Sequence, residues 1–318
     1  MVSVAESEST LASRRRRRLS RQRIGRVAGP YALLAPATVV IGAVLAYPLY
    51  LLVSLSFQKY GLFELIRHHG RWIGADNYSR IFHDSTFWTV LGRTILFTAV
   101  AVTLTMVLGT AIALLLLQVG RVMRFGLTTG LVLVWATPVV VAINVWHWMV
   151  DYEFGVANYA LTKLGVGDFI RYDWFANPWA GFGLIVALVV WGAIPFVTIT
   201  VYAGLAQVPQ ELLEAAAIDG ARPWRVFREV TVPLLMPIFV ILISLSIIWD
   251  FQVFQQIWIM LDQRPSSDYY TMAIYAFSSS FRLSEYGLGS AIAVVMVFFM
   301  FLATLVYLRQ MLKAGEVY

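Results

Sequence analysis

Along the 318-residue chain, six long apolar runs alternate with shorter polar passages. The runs lie near 30–57, 89–117, 125–150, 181–205, 234–260 and 287–309. Each is long enough to cross a hydrocarbon core of about 30 Å as an α-helix. Their backbones are expected to be helical, because a bilayer holds no water to satisfy open N–H and C=O groups. The predicted fold is all-α, a polytopic membrane protein with six transmembrane helices. Residues 1–27, Ser-rich and basic, are expected to form a disordered cytoplasmic tail, and 28–318 a single six-span domain.

The polar passage from Pro209 to Pro237 is long enough to be a structure of its own. Gln210 to Asp219 reads as a short helix, with Glu211 and Glu214 near its positive end. Gly220 suits the left-handed residue that closes such a helix. Pro223 suits the first turn of a second helix running toward Thr231. On that helix Arg222, Arg225 and Arg228 form a basic stripe beside Trp224, Phe227 and Thr231. Pro233 and Pro237 are expected to reset the chain before the fifth span. By itself this helix–turn–helix could also be an amphipathic pair lying in the membrane interface.

Composition removes the soluble alternative: 59% of residues are hydrophobic, 13% are charged, and the mean hydropathy is +0.73. The absence of cysteine excludes disulfides and thiolate metal sites. A net charge of +6 could suggest nucleic acid, yet eight arginines between Arg14 and Arg26 stand directly before the first apolar run. Basic residues there hold the N-terminus in the cytoplasm and attract anionic lipid, so no nucleic-acid partner is expected. The first run is too long for a signal-peptide core and has no small-residue cleavage site at its end, so it is expected to remain as a span. With both termini inside, the inner segments and Arg309 carry fifteen of the 24 Lys and Arg residues. That bias supports a cytoplasmic Pro209–Pro237 loop.

Glu214-Ala215-Ala216, Asp219-Gly220-Ala221, Phe227, Pro233 and Pro237 together resemble the EAA loop of permease subunits of binding-protein-dependent ABC importers. Trp72 through Tyr78, Phe87-Trp88, Pro48, Trp191, Pro195, Phe196 and Tyr286 through Ala291 extend the resemblance from about residue 30 to the end. They favour the maltose-type carbohydrate subfamily. One departure is that the family's Gly-Gly-Pro after the fifth span is Gln263-Arg264-Pro265 here.

The resemblance implies a type I permease that pairs with a different second permease, two ATPase subunits and an extracytoplasmic solute-binding protein in the cytoplasmic membrane. ATP and Mg would bind on the ATPases and no cofactor on this chain. Contact with the ATPase would fall to Glu214, Ala215, Ala216, Asp219, Gly220, Ala221, Arg225 and Phe227. The solute would be a sugar or oligosaccharide, with a polyol or glycerol phosphodiester as the alternative.

Candidate chemistry within the chain is sparse. No Gly-Lys pair occurs, so a phosphate-cradling loop is excluded, and neither a Gly-x-Ser-x-Gly elbow nor an HExxH spacing is present. The fifth span mixes Ser244, Ser246, Asp250, Gln252, Gln255 and Gln256 with Trp249, Phe251, Phe254 and Trp258. Polar hydrogen-bonding groups beside aromatic faces suit a hydroxyl-rich solute. Ser246, Trp249, Asp250 and Gln252 fall where maltose-type permeases meet sugar. Asn144, Trp148, Trp191 and Phe196 are further candidates for the path, and Pro138 and Pro195 are candidate kinks. Asp250 has a second reading, as the partner of a helix dipole or of an arginine on another subunit. His147 and Asp151, at i and i+4, could be a proton relay of a proton-coupled secondary carrier or an interfacial hydrogen bond. The aromatics of the outer segments are expected to be headgroup anchors, with a minority meeting an external partner.

Overall fold

The computed structural model describes residues 33–315, so the expected tail at 1–27 lies outside the described residues. The chain divides at Ser54 into two units. The first unit is helix α1 (Leu33–Ser56) up to that division, apolar along its length, with no residue of its most apolar stretch buried.

The second unit opens on a hairpin of two short antiparallel strands, β1 (Gln58–Lys59) and β2 (Arg71–Trp72), enclosing helix α2 (Leu62–Arg67). Then come α3 (Asp76–His83), α4 (Ser85–Gln118), α5 (Arg121–Ala136), α6 (Val139–Met149), α7 (Val156–Lys163), α8 (Pro178–Leu205) and α9 (Gln210–Ile218). The remaining helices are α10 (Pro223–Phe251), α11 (Gln255–Met260), α12 (Met272–Phe277) and α13 (Tyr286–Gly315). Helices α1, α4, α8, α10 and α13 are each long and apolar enough to cross a membrane, and α5 with α6 make a sixth span if the bent pair counts as one.

Two of the expected spans are interrupted in the structure, one of them at the candidate kink Pro138. The third, 125–150, is not one helix: α5 and α6 meet at 100° around Thr137-Pro138. Pro138 biases Thr137 to extended backbone, and Thr137 sits at φ −69°, ψ 126°. The fifth, 234–260, ends at Phe251, and α11 begins only after Gln252-Val253-Phe254.

A further difference lies at the start of α10, where Pro233 and Pro237 do not reset the chain. The helix runs on from Pro223, through a wide π-helical turn at Phe227–Thr231. A proline ring collides with the carbonyl four residues back and gives it no N–H. The extra residue in a π turn moves that carbonyl away and lets the helix continue. The same device precedes Pro48 in α1, where Gly42–Ala46 is also π-helical.

The core forms along α4 and α8. Ala101 and Phe97 of α4 meet Ile185, Val186 and Val189 of α8, and Ala113 meets Val197 and Val201. At Gly109 a Cβ would stand 2.7 Å from a Val197 methyl, so only glycine permits this approach, and the Thr198 hydroxyl donates to the Gly109 carbonyl at 3.1 Å. Arg124 closes the other end of α4 by donating to the Leu116 carbonyl at 2.8 Å and the Val119 carbonyl at 3.1 Å. A guanidinium on these unpaired terminal carbonyls also suits the negative end of the helix.

The segment after α1 is more ordered than its sequence suggests. Asn77 Nδ2 donates to the Ser56 and Gln58 carbonyls, both at 2.9 Å, and the Tyr78 hydroxyl lies 2.8 Å from Ser56 Oγ. Asp84 caps α4 through the Thr86 amide and accepts from the Tyr275 hydroxyl at 3.1 Å. Burial, reinforced by that carboxylate, pushes the Tyr275 phenol up to about 12. Two of the outer-segment aromatics are stacked on neighbours: Trp72 on Phe57, and Trp174, whose indole N–H donates to Asn158 at 2.7 Å, on Phe169. Gln263, the first residue of the departing Gln263-Arg264-Pro265 run, takes a left-handed φ of 61°, and Asp262 before it a φ of 49°. This chain therefore holds, with side chains that resist it, a backbone that glycine adopts freely.

Candidate functional site

The first element is the α9 to α10 turn. Gly220 has φ +78°, its N–H donates to the Ala217 carbonyl, and the Ala221 N–H donates to the Ala216 carbonyl, both at 3.0 Å. This pair of bonds is the Schellman closure, in which the left-handed residue is required. The chain then turns at Arg222, whose carbonyl accepts from Arg225 at 2.8 Å and begins α10. Glu214, Ala215, Asp219, Gly220 and Arg225 are exposed, while Ala216, Ala221 and Phe227 are half-buried. Ile218 and Trp224 are 86% and 70% exposed, large apolar groups at the tip of the turn beside charged ones. Arg225 pairs with Glu229 at 2.8 Å, so within the basic stripe it is tied to its own helix. The Trp224 and Phe227 rings lie 5.6 Å apart.

The second element is a cavity of about 470 Å³ bounded by the α5–α6 bend, α8 and the end of α10. Both span interruptions, Thr137 with Val139 and Gln252 through Phe254, contribute to its wall. Five of the eight residues expected on the path line it: Trp191, Phe196, Trp249, Asp250 and Gln252. Gln255 and Gln256 do so as well. Phe196 lies 5.4 Å from Trp249 and 6.4 Å from Trp135, nearly parallel to the latter at 17°. These three rings make a continuous apolar face. Pro195 has no N–H to give the Trp191 carbonyl, which loses its helical donor one turn from that face. Asp250 is 6% exposed, and its Oδ2 has no hydrogen-bond partner among the described residues.

The other three candidates stand apart from the cavity. Ser246, one turn before Asp250, is buried between helices at 5% exposure. Asn144 donates to the Val140 carbonyl of its own helix at 2.8 Å, and Trp148 is 60% exposed near the end of α6. His147 and Asp151 share no hydrogen bond. Asp151 Oδ1 instead accepts the Phe154 and Glu153 amides at 2.9 and 2.8 Å, and these hold the carboxyl below its usual range. Phe254, named among the fifth-span aromatics, lines the cavity too, whereas sequence reasoning missed Trp135 and Thr137. The Trp-Ala-Thr-Pro run at 135–138 carried a signal, since a tryptophan beside a proline break marks a place where a span can open. Among the described residues no group of three His, Asp or Glu is arranged to hold a metal ion.

A predominantly helical, multi-pass bundle with a polar loop projecting an exposed helix pair at one place and an aromatic cavity at another is the architecture of a membrane transport permease. The chain belongs to the family of binding-protein-dependent transport system inner membrane components, whose model matches residues 106–311. It is 42% identical to the diacetylchitobiose uptake system permease protein DasB of Streptomyces coelicolor, over 90% of this chain and 88% of that one. It is 34% identical to the trehalose/maltose transport system permease protein MalF of Thermococcus litoralis, over 74% of this chain and 79% of that one. A crystal structure of a bacterial ABC transporter involved in the import of the acidic polysaccharide alginate contains a chain of the same fold. Its TM-score is 0.76 at 19% identity, and the match covers 94% of this chain and 99% of that one.

Proposed function

We propose that the chain is the sugar-conducting permease half of an ATP-driven importer in the cytoplasmic membrane. It pairs with a different permease subunit, and an extracytoplasmic binding protein delivers a sugar or short oligosaccharide to its outer face. Two ATPase subunits carry ATP and Mg, while this chain binds no cofactor and makes no covalent bond. Both termini are cytoplasmic, in keeping with the charge bias.

The observation that carries the reading is the cavity itself. Trp135, Phe196 and Trp249 offer ring faces to the C–H surfaces of a sugar, and Asp250 and Gln252 offer hydrogen-bonding groups beside them. The sugars named for the two relatives agree with that chemistry. The α9–α10 turn is the surface that would seat in the ATPase. ATP-driven closure of the ATPases would pull it inward and bias the bundle between two states as rigid bodies.

Removing one ring tests the path. Trp249→Ala is expected to lower sugar uptake about tenfold, the loss of one aromatic contact of roughly 1.4 kcal/mol, while the variant still co-purifies with its partner subunits. Unchanged uptake would remove Trp249 from the path, and loss of assembly would make it a packing residue.

A further inference from the structure

Of the eighteen residues lining the cavity, Asp250 is the one with an ionisable side chain. No described Lys, Arg or His forms an ion pair with it. A carboxylate that is 94% buried with no counter-ion among the described residues is costly, and a positive charge entering the cavity it borders lowers that cost. Around it the groups are ring faces and neutral amides. Ring faces are negative at their centres and attract ammonium groups, so Phe196, Trp191 and Trp249 act in the same sense as the carboxylate.

On the reading that this cavity carries a sugar, we infer that Asp250 selects the solute by charge. The cavity takes neutral and ammonium-bearing sugars and turns away carboxylated, sulfonated or phosphorylated ones. The physical basis is asymmetric. An ammonium group gains Coulombic attraction to the carboxylate bordering the cavity and contact with the rings, and a neutral hydroxyl meets no like charge. An anionic group brings no donor and places like charges together in a confined, partly desolvated space, where repulsion is far stronger than in water. The selection acts on whatever a binding protein delivers, so it is a second filter behind that protein's own.

The test uses the full importer, this chain with its second permease and ATPases, purified in lipid nanodiscs without binding protein. Equilibrium dialysis compares cellobiose, chitobiose with free amino groups, and cellobiouronic acid. The wild-type complex should bind chitobiose at least tenfold more tightly than the uronic acid. Asp250→Asn should shrink that ratio to about twofold, and Asp250→Glu should keep it. A ratio near one in the wild type, or an unchanged ratio in Asp250→Asn, overturns the inference while leaving the sugar cavity standing. Failure of Asp250→Asn to assemble where Asp250→Glu assembles also overturns it, because the carboxylate would then be the partner of a cation on the second subunit. Absence of saturable binding of any of the three sugars would instead defeat the sugar reading on which the inference rests.

Discussion

Gly220→Val is expected to abolish most ATP-coupled uptake, by tenfold or more. Nothing stands within 4 Å of the position a Cβ would take at Gly220, so the penalty is purely conformational. The residue sits at φ +78°, a region that costs an ordinary L-residue about 1–2 kcal/mol and a β-branched one more. Leaving that region breaks the two bonds that close α9, from Gly220 to Ala217 and from Ala221 to Ala216. A shift of 1–2 kcal/mol against the docking conformation reduces the competent fraction roughly 5- to 30-fold, and docking weakens by the same factor. Gly220→Asn, which tolerates left-handed backbone, should retain much more activity. Wild-type uptake together with normal ATPase co-purification in the Val variant would separate this turn from coupling.

Gly287→Ala should lower the thermal midpoint of the purified complex by several degrees. At the start of α13, a Cβ on Gly287 would fall on the Gln58 carbonyl oxygen and stand 3.2 Å from both Asn77 Nδ2 and the Tyr60 nitrogen. The Gly287 N–H also donates to the Tyr60 carbonyl at 3.0 Å, so hairpin and helix are held at backbone contact. A backbone oxygen cannot rotate away as a side chain can, so the hairpin must lift, at about 1–3 kcal/mol. For a chain of this size that is roughly 5 °C. Gly183→Ala is the control, since its Cβ would meet nothing within 4 Å and alanine favours a helix. Equal midpoints for Gly287→Ala and wild type would mean that the hairpin is not clamped on α13.

Both glycines belong to stretches that drew notice in the sequence, and the reasons differ in what a sequence can reveal. At Gly220 the local pattern suffices: a run of helix formers, then glycine, then Arg-Pro. At Gly287 the need arises from a carbonyl 229 positions earlier in the chain, which no local pattern reports. The spans follow the same division. Their existence is written in apolar run length; of their interruptions, Pro138 marks the one at Thr137-Pro138 as a candidate kink, while no proline or glycine marks the one at Gln252–Phe254. A window averaged over 125–150 passes smoothly across Thr137-Pro138, although the backbone there turns by 100°. Prolines mislead in the opposite direction at Pro233, where the π turn before it keeps α10 intact. Site membership depends on depth along a helix as well as on composition. Ser246 and Asp250 are one turn apart in the same polar set, yet Asp250 alone reaches the cavity. Trp135 sits among apolar neighbours with no polar group to mark it, and it enters the site through the bend that follows it.

Sugar conduction by this chain at the expense of ATP hydrolysed elsewhere can be measured in proteoliposomes. These would hold the chain and its second permease, with and without the ATPase subunits, binding protein outside and ATP inside. Labelled sugar should accumulate only when ATPases and ATP are both present, and a protonophore should leave the rate unchanged. Accumulation in vesicles lacking the ATPases, rising with an imposed pH gradient, would contradict the account and make the chain a proton-coupled carrier.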